Sequence, residues 1–209
     1  MEHIRRDGSL ALTNGARAAG VTRFVQESFA PLYGDGGDRW LDETAPVRPA
    51  RYNRSVLDAE KANRAFAESG VGVTLRFAFL YGPGDPFTAQ AIDTIRRGWM
   101  PFFGRRDAYL ATVTQQDAAA AALAALTLPS GIYNVVDDEP LTREEFGRAV
   151  AAMLGVRPPR FVPTWLTKLG GSVAETLSRS LRLSNRKLEQ ASNWKPQYPS
   201  AREGMRASV

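Results

Sequence analysis

Tyr52 is the residue of this sequence whose type and position best suit proton chemistry. It stands near the start of a segment predicted to be helical, in the run RYNRSVLDAE. A phenol has a free pKa of about 10, and it exchanges protons readily at neutral pH only when a nearby cation lowers that value. Residues four apart share a helical face, so a lysine at position 56 could supply that cation. Position 56 is Val56.

The other cations near Tyr52 do not replace that lysine. Arg51 and Arg54 lie off the Tyr52 face of the predicted helix, and Lys61, nine residues on, lies on the opposite face. Two roles therefore stay open for Tyr52. It is either a catalytic acid/base or an aromatic side chain that packs at the start of a helix.

A strand, a helix and a second strand must position Tyr52. A strand is predicted over 22–26, and a helix over about 50–69 because its apolar residues keep helical spacing. The largely apolar run 71–79 follows and ends in Tyr81-Gly82-Pro83-Gly84, which is typical of a buried parallel strand and a turn. This order of elements predicts an α/β fold with a parallel sheet.

The second half of the chain continues the alternation of helices and strands. Thr142 and Glu145 form a capping-box pattern at the start of a helix that ends near Leu154. The other predicted elements are a helix over 86–97, a strand over 109–113, an alanine-rich helix over 117–126, a strand over 132–136 and a helix over about 163–180.

Composition excludes several classes of function. The 209 residues are 44% hydrophobic and 23% charged, as in globular proteins. No apolar run reaches membrane-spanning length, and the N-terminus lacks a signal-peptide core, so the expected location is cytoplasmic. The chain has no cysteine and one histidine, His3, which argues against thiolate chemistry, a histidine triad or a multi-histidine metal site. The net charge of +5 is scattered, so nucleic acid is not an expected partner.

Short motifs in a fixed order give the chain a family resemblance. They are Ala18-Ala19-Gly20-Val21, Ser28 to Gly34, the Tyr52 helix with Ser55 and Glu60, Leu75-Arg76, Tyr81 to Asp85, Asp117, Tyr133-Asn134-Val135, Leu183 to Leu188 and Asn193-Trp194-Lys195-Pro196. In this order they resemble the extended short-chain dehydrogenases/reductases of the NAD-dependent epimerase/dehydratase family. The resemblance implies a partial Rossmann-like, doubly wound parallel sheet with a smaller C-terminal substrate lobe, NAD or NADP as cofactor and a small-molecule substrate such as a nucleotide sugar.

The resemblance also implies a division of the chain and an absent segment. Residues 1–85 would be the C-terminal half of an NAD(P)-binding domain, and residues 86–209 would complete the sheet and form the substrate lobe. The glycine-rich dinucleotide motif of the family is not in this sequence. We therefore expect a late start or a fragment, an exposed strand edge and poor stability as a monomer, with a homodimer left open.

The same resemblance assigns the site residues. Tyr52 takes the place of the catalytic tyrosine, which also contacts cofactor, and the family's lysine is replaced by Val56. Ser28 and Phe77 would contact the cofactor. The residues expected to bind substrate are Phe29, Phe79 and Arg106. Phe29, Val56 and Phe79 stand where the family has polar groups, so we expect these three side chains to line one apolar cleft.

Three functions remain compatible with these residues. The first is an NAD(P)-dependent, epimerase/dehydratase-like oxidoreductase that is atypical or impaired in a truncated form. The second is a non-catalytic nucleotide-binding or interaction protein with this fold, and the third is an inactive fragment.

Overall fold

A computed structural model describes residues 2–163 and 171–208, with side chains from residue 5 onward. The helices are α1 (Glu2–Ala18), α2 (Ser55–Phe66), α3 (Pro86–Arg96), α4 (Gln115–Ala124), α5 (Arg143–Met153), α6 (Gly171–Leu177), α7 (Arg186–Ala191) and α8 (Ala201–Arg206). The strands are β1 (Arg23–Phe29), β2 (Trp40–Leu41), β3 (Val71–Phe77), β4 (Phe79–Tyr81), β5 (Tyr109–Leu110), β6 (Thr112–Thr114), β7 (Gly131–Val135), β8 (Leu141–Thr142) and β9 (Arg182–Leu183). Within these residues, no helix has both the length and the apolar character that crossing a membrane requires.

The central sheet has three parallel strands in the order β1–β3–β7. The register pairs Phe29 with Phe77, and Phe77 with Val135, so the carboxyl ends of the strands meet at one edge. No strand in the described part of the chain pairs with the outer edge of β1. The predicted α/β fold with a parallel sheet is confirmed.

Two hydrophobic clusters support the two parts of the molecule. The first surrounds the central sheet and includes Val73, Leu75 and Val135, together with Leu183 and Trp194 from the C-terminal end. The second joins α3, α5 and α8; its buried members include Ile92, Ile95, Met100, Leu141, Phe146, Val150 and Met205. Because residues beyond 180 enter the first cluster, both halves of the chain build it. A domain boundary at residue 85 stays a prediction.

One predicted helix begins later than expected, and another is described only in part. The predicted helix over 50–69 is a 3₁₀ turn at Arg51–Asn53 followed by α2, and Tyr52 lies in that turn. Ala50 is extended and Arg54 offers no side-chain cap, so the regular helix begins only at Ser55. The helix expected over about 163–180 is described only as α6, because residues 164–170 lie outside the described ranges.

Gly72 lets α2 lie directly on β3. A Cβ atom at this position would stand 2.6 Å from the backbone oxygen of Asn63 and 2.9 Å from its Oδ1. We expect Gly72→Ala to lower the free energy of unfolding by about 1–3 kcal/mol, since backbone atoms cannot move aside cheaply. Urea unfolding measures the loss.

Gly15 supplies the matched control for Gly72. It lies in α1, and a Cβ there would meet nothing within 4 Å. Gly15→Ala should raise stability by about 0.5–1 kcal/mol, because alanine favours helix. Equal effects of the two substitutions would show that Gly72 is not needed for the contact between α2 and β3.

Candidate functional site

A cleft at the carboxyl end of β1 brings together several of the predicted site residues. We call it the β1 cleft; its volume is about 770 Å³. Its described lining is Arg5, Ser9, Gln26, Glu27, Ser28, Phe29, Arg51, Tyr52, Asn53, Val56, Ala59 and Ser172. Tyr52 and Val56 therefore face the same space, as their spacing predicts. Carboxyl ends of parallel strands are where α/β folds bind their ligands.

The surroundings of Tyr52 in this cleft disfavour its ionised form. Burial raises the pKa of its hydroxyl above the usual value, and this effect outweighs a hydrogen bond with Thr176 and the charge of Arg179, which both lower it. Val56 is buried and brings no charge. The cation that would lower the pKa of Tyr52 is thus absent at the position where the sequence places it.

A buried ion pair lies beneath the β1 cleft. Glu60 Oε1 accepts from Arg76 Nε at 2.8 Å, and Glu60 Oε2 accepts from Arg76 Nη2 at 2.7 Å. Ser28 Oγ donates to Glu60 Oε1 at 2.5 Å, and the Arg76 guanidinium lies 4.9 Å from the centre of the Tyr33 ring. The network therefore fixes the orientation of Ser28 at the end of β1.

Asn53 is a site residue that the sequence did not single out. It is 1% exposed and lines the β1 cleft. Neither its Oδ1 nor its Nδ2 has a hydrogen-bond partner among the described residues. Buried amides are almost always paired in folded proteins, so this side chain has bonding capacity that a ligand can use.

A second, smaller cavity lies where residues 30–31 and 78–79 meet residues 101–111 and 176–181. We call it the aromatic pocket; its volume is about 210 Å³. Its described lining is Ala30, Pro31, Ala78, Phe79, Phe87, Pro101, Phe102, Phe103, Tyr109, Leu110, Ala111, Arg143, Thr176, Leu177, Arg179 and Leu181. Phe79 and Phe102 meet edge to face, with ring centres 5.3 Å apart. The predicted substrate residue Phe79 therefore lies in this pocket.

The expectation that Phe29, Val56 and Phe79 line one apolar cleft was wrong. Phe29 and Val56 line the β1 cleft, whereas Phe79 lines the aromatic pocket. The chain changes its partner between β3 and β4: Ala78 N bonds to Val135 O, and Phe79 N bonds to Ala111 O. The sequence shows one apolar run here, and it does not show where that run leaves the central sheet.

Two predicted site residues lie away from the described linings of these cavities. Phe77 ends β3 beside Phe29 and packs against the central core. Arg106 is exposed, and its guanidinium lies 4.9 Å from the centre of the Phe161 ring. Their roles toward cofactor and substrate stay predictions.

Arg143 was missed because its sequence context is that of a helix start. Thr142 and Glu145 form the predicted capping box, and the two residues between them would ordinarily be exposed. Arg143 is instead 1% exposed and lines the aromatic pocket. Its Nη2 donates to the carbonyl oxygens of Leu177 at 2.8 Å and Arg179 at 3.0 Å. Burial lowers the pKa of its guanidinium to about 10.

Comparison with known proteins gives matches in sequence and in structure. Residues 2–135 match the model of the NAD dependent epimerase/dehydratase family. A 3-diazoavenalumate denitrifying reductase from Streptomyces sp is 31% identical to this chain over an alignment of 212 residues. The alignment covers 97% of this chain and 70% of the relative.

Two solved structures show the same fold. Human epimerase family protein SDR39U1 (isoform 2), solved with NADPH, superposes with a TM-score of 0.86 at 19% identity, covering 97% of this chain and 70% of that chain. UDP-glucose 4-epimerase from Thermotoga maritima, solved with UDP-glucose, superposes with a TM-score of 0.79 at 22% identity. The match covers 99% of this chain and 68% of that chain. The likeness confirms the Rossmann-like arrangement expected from the sequence.

Proposed function

This chain belongs to the NAD-dependent epimerase/dehydratase family, and we propose that it is an NAD(P)H-dependent reductase in which Tyr52 is not the acid/base. The observation that carries the proposal is the state of Tyr52, whose pKa is raised by burial beside Val56. The curated relative at 31% identity is itself named a reductase, which supports the same choice of reaction.

The described residues fit the nicotinamide end of the cofactor. The unpaired amide of Asn53 could bond to the carboxamide or the ribose, and Tyr52 and Ser28 line the same cleft. When bound, reduced nicotinamide supplies a hydride. The sequence has no glycine-rich phosphate turn, so the fit concerns this end of NAD or NADP alone.

Reduction of an electrophilic acceptor suits this cleft better than epimerisation. Epimerisation by oxidation must first remove a proton from a substrate hydroxyl, and Tyr52 with a raised pKa is a poor base for that step. An aryl diazo acceptor, the kind named for the relative, needs only orientation and a hydride, because the hydride takes the place of N₂ at the ring carbon and N₂ leaves. The protein then has to hold the acceptor close to the cofactor and exclude water.

Two other functions have weaker support. The apolar residues Phe29 and Val56 in the cleft also suit a protein that binds the nucleotide without turnover. Solved neighbours that bind UDP-glucose support a nucleotide-sugar substrate, but these neighbours are only 22% identical to this chain. The first alternative predicts cofactor binding without turnover of any compound. The second predicts that NAD⁺ supports conversion of a nucleotide sugar to its epimer, with no net change in the cofactor.

Cofactor binding tests the proposal at Asn53. Titration of NADPH and NADH into the protein by calorimetry should show binding of at least one of them. Asn53→Ala should weaken that binding about tenfold, the effect of losing one or two hydrogen bonds. Asn193→Ala, at an exposed position, is the matched control and should bind as the unmodified chain does.

Turnover is tested with 3-diazoavenalumate, the compound named for the relative, and with UDP-glucose as the competing substrate. We expect NAD(P)H oxidation with the first compound or another electrophilic acceptor. Absence of binding of both cofactors would overturn the proposal, and so would NAD⁺-supported epimerisation of UDP-glucose without NAD(P)H oxidation by the diazo compound.

A further inference from the structure

Arg143 is a buried cation that forms no ion pair in the described part of the chain; Asp35 and Asp107 act on its charge only from a greater distance. No described carboxylate lies within ion-pair distance of it, and its Nε and Nη1 have no hydrogen-bond acceptor there. Moving a charge out of water without a partner costs several kcal/mol. The lowered pKa of this guanidinium reflects the same cost. An anion beside Arg143 would offset it.

Arg179 shows that this deficit is specific to Arg143. Both arginines line the aromatic pocket. Arg179 donates to the carboxylate of Glu175 at 3.0 Å and 3.1 Å, and to the carbonyl oxygens of Tyr33 at 2.9 Å and Arg48 at 2.6 Å. Its bonding capacity is therefore used within the protein. Arg143 is held by two carbonyl oxygens through Nη2 alone, which fixes its place and leaves its other nitrogens for a ligand.

The remainder of the pocket suits an aromatic ring. Phe79, Phe102 and Tyr109 line it, and phenyl rings pair favourably with other rings in edge-to-face or offset geometry. Phe87 and Phe103 also line it and are 66% and 43% exposed, so their apolar surface is open to a ligand. A volume of 210 Å³ exceeds the ~150 Å³ of an apolar cavity that binds benzene.

We propose that the aromatic pocket binds a planar aromatic carboxylate, with the carboxylate on Arg143 and the ring against Phe79 and Phe102. The proposal rests on the proposed function in one respect, because the same ligand would be the acceptor when its ring carries a diazo group: hydride from NAD(P)H takes the place of N₂, which leaves, and NAD(P)⁺ remains. A nucleotide sugar fits the pocket poorly. It is far larger than one substituted ring, and its sugar hydroxyls would face phenyl groups that cannot bond to them.

Binding without cofactor tests the proposal and needs no variant. trans-Cinnamate and trans-cinnamamide have nearly the same shape, but only cinnamate carries a charge. Calorimetry should show cinnamate binding at least about tenfold more tightly than the amide, because charge-assisted hydrogen bonds to guanidinium are the stronger kind. UDP-glucose should not displace it. Equal binding of the two compounds, no binding of either, or displacement by UDP-glucose would overturn the proposal.

Variants assign the effect to Arg143. Arg143→Met should abolish the preference for cinnamate over the amide, and Arg143→Lys, which keeps a charge and can still bond to the carbonyl oxygens, should retain part of it. Arg148→Met is the matched control on the same helix, since Arg148 is 66% exposed, and it should leave the preference unchanged. If Arg143→Met does not fold, Arg143→Lys and the comparison of the two ligands decide the matter.

These results separate the inference from the proposed function. Cinnamate binding with a tenfold preference, in a protein that binds no NADPH or NADH, would sustain the pocket assignment and reject the reductase. NAD(P)H binding without cinnamate binding would do the reverse.

Discussion

Replacing Glu60 by leucine is expected to lower the free energy of unfolding by about 3–5 kcal/mol, the cost of leaving one charge of a buried pair without its partner. The side chains of Glu60 and Arg76 are 3% and 4% exposed. The substitution would leave the Arg76 guanidinium in the core without a carboxylate and would remove the acceptor of Ser28 Oγ. Urea unfolding followed by circular dichroism measures the loss.

The double variant and a surface pair complete this test. Glu60→Leu combined with Arg76→Met should recover much of the lost stability, because no buried charge remains. Glu144→Ala, in an exposed pair with Arg148, should cost no more than about 0.5 kcal/mol. A loss below about 1 kcal/mol for Glu60→Leu would contradict a buried ion pair at this position.

Replacing Asp117 by alanine is expected to lower the free energy of unfolding by about 3 kcal/mol, since each hydrogen bond to a charged group contributes about 1.5–3 kcal/mol. Asp117 is 2% exposed. Its Oδ1 accepts from Gln197 N at 2.6 Å, and its Oδ2 accepts from Thr114 Oγ1 at 2.7 Å. This carboxylate therefore ties the segment around Gln197 to the start of α4, just before α8 packs on α5.

Thermal and urea unfolding both report the effect of Asp117→Ala. Asp93→Ala is the matched control, because Asp93 lies at 59% exposure in a surface pair with Arg96. Asp93→Ala should leave the free energy of unfolding nearly unchanged. Equal stability of the two variants would show that the segment near Gln197 is held by other contacts.

The alternation of helices and strands could be predicted from the sequence because apolar spacing sets it locally. The run 71–79 and the run near Val135 are both rich in apolar residues. Val71–Phe77 of the first run and Gly131–Val135 form parallel strands of the central sheet. The capping box of Thr142 and Glu145 also forms, since it depends only on residues three apart. Patterns that depend on a few neighbouring residues therefore predicted the structure correctly.

The two unpaired polar groups of the site could not be predicted in this way. Asn53 is buried because the 3₁₀ turn before α2 packs at the end of the central sheet, and Arg143 is buried because the chain from α6 to β9 covers it. Both facts depend on segments far apart in sequence. The separation of Phe79 from Phe29 has the same origin, because β4 pairs with β6 rather than extending the central sheet.

Transfer of deuterium from NADPH to the product tests most directly whether this protein transfers hydride without an acid/base at Tyr52. The measurement uses NADPH that carries deuterium at C4, with 3-diazoavenalumate as acceptor, and mass spectrometry of the product made by the unmodified chain and by Tyr52→Phe. We predict deuterium in both products and rates that agree within about threefold, whereas loss of a true general acid/base costs about 10²–10⁴-fold. A product without deuterium, or a thousandfold slower Tyr52→Phe variant, would contradict the account.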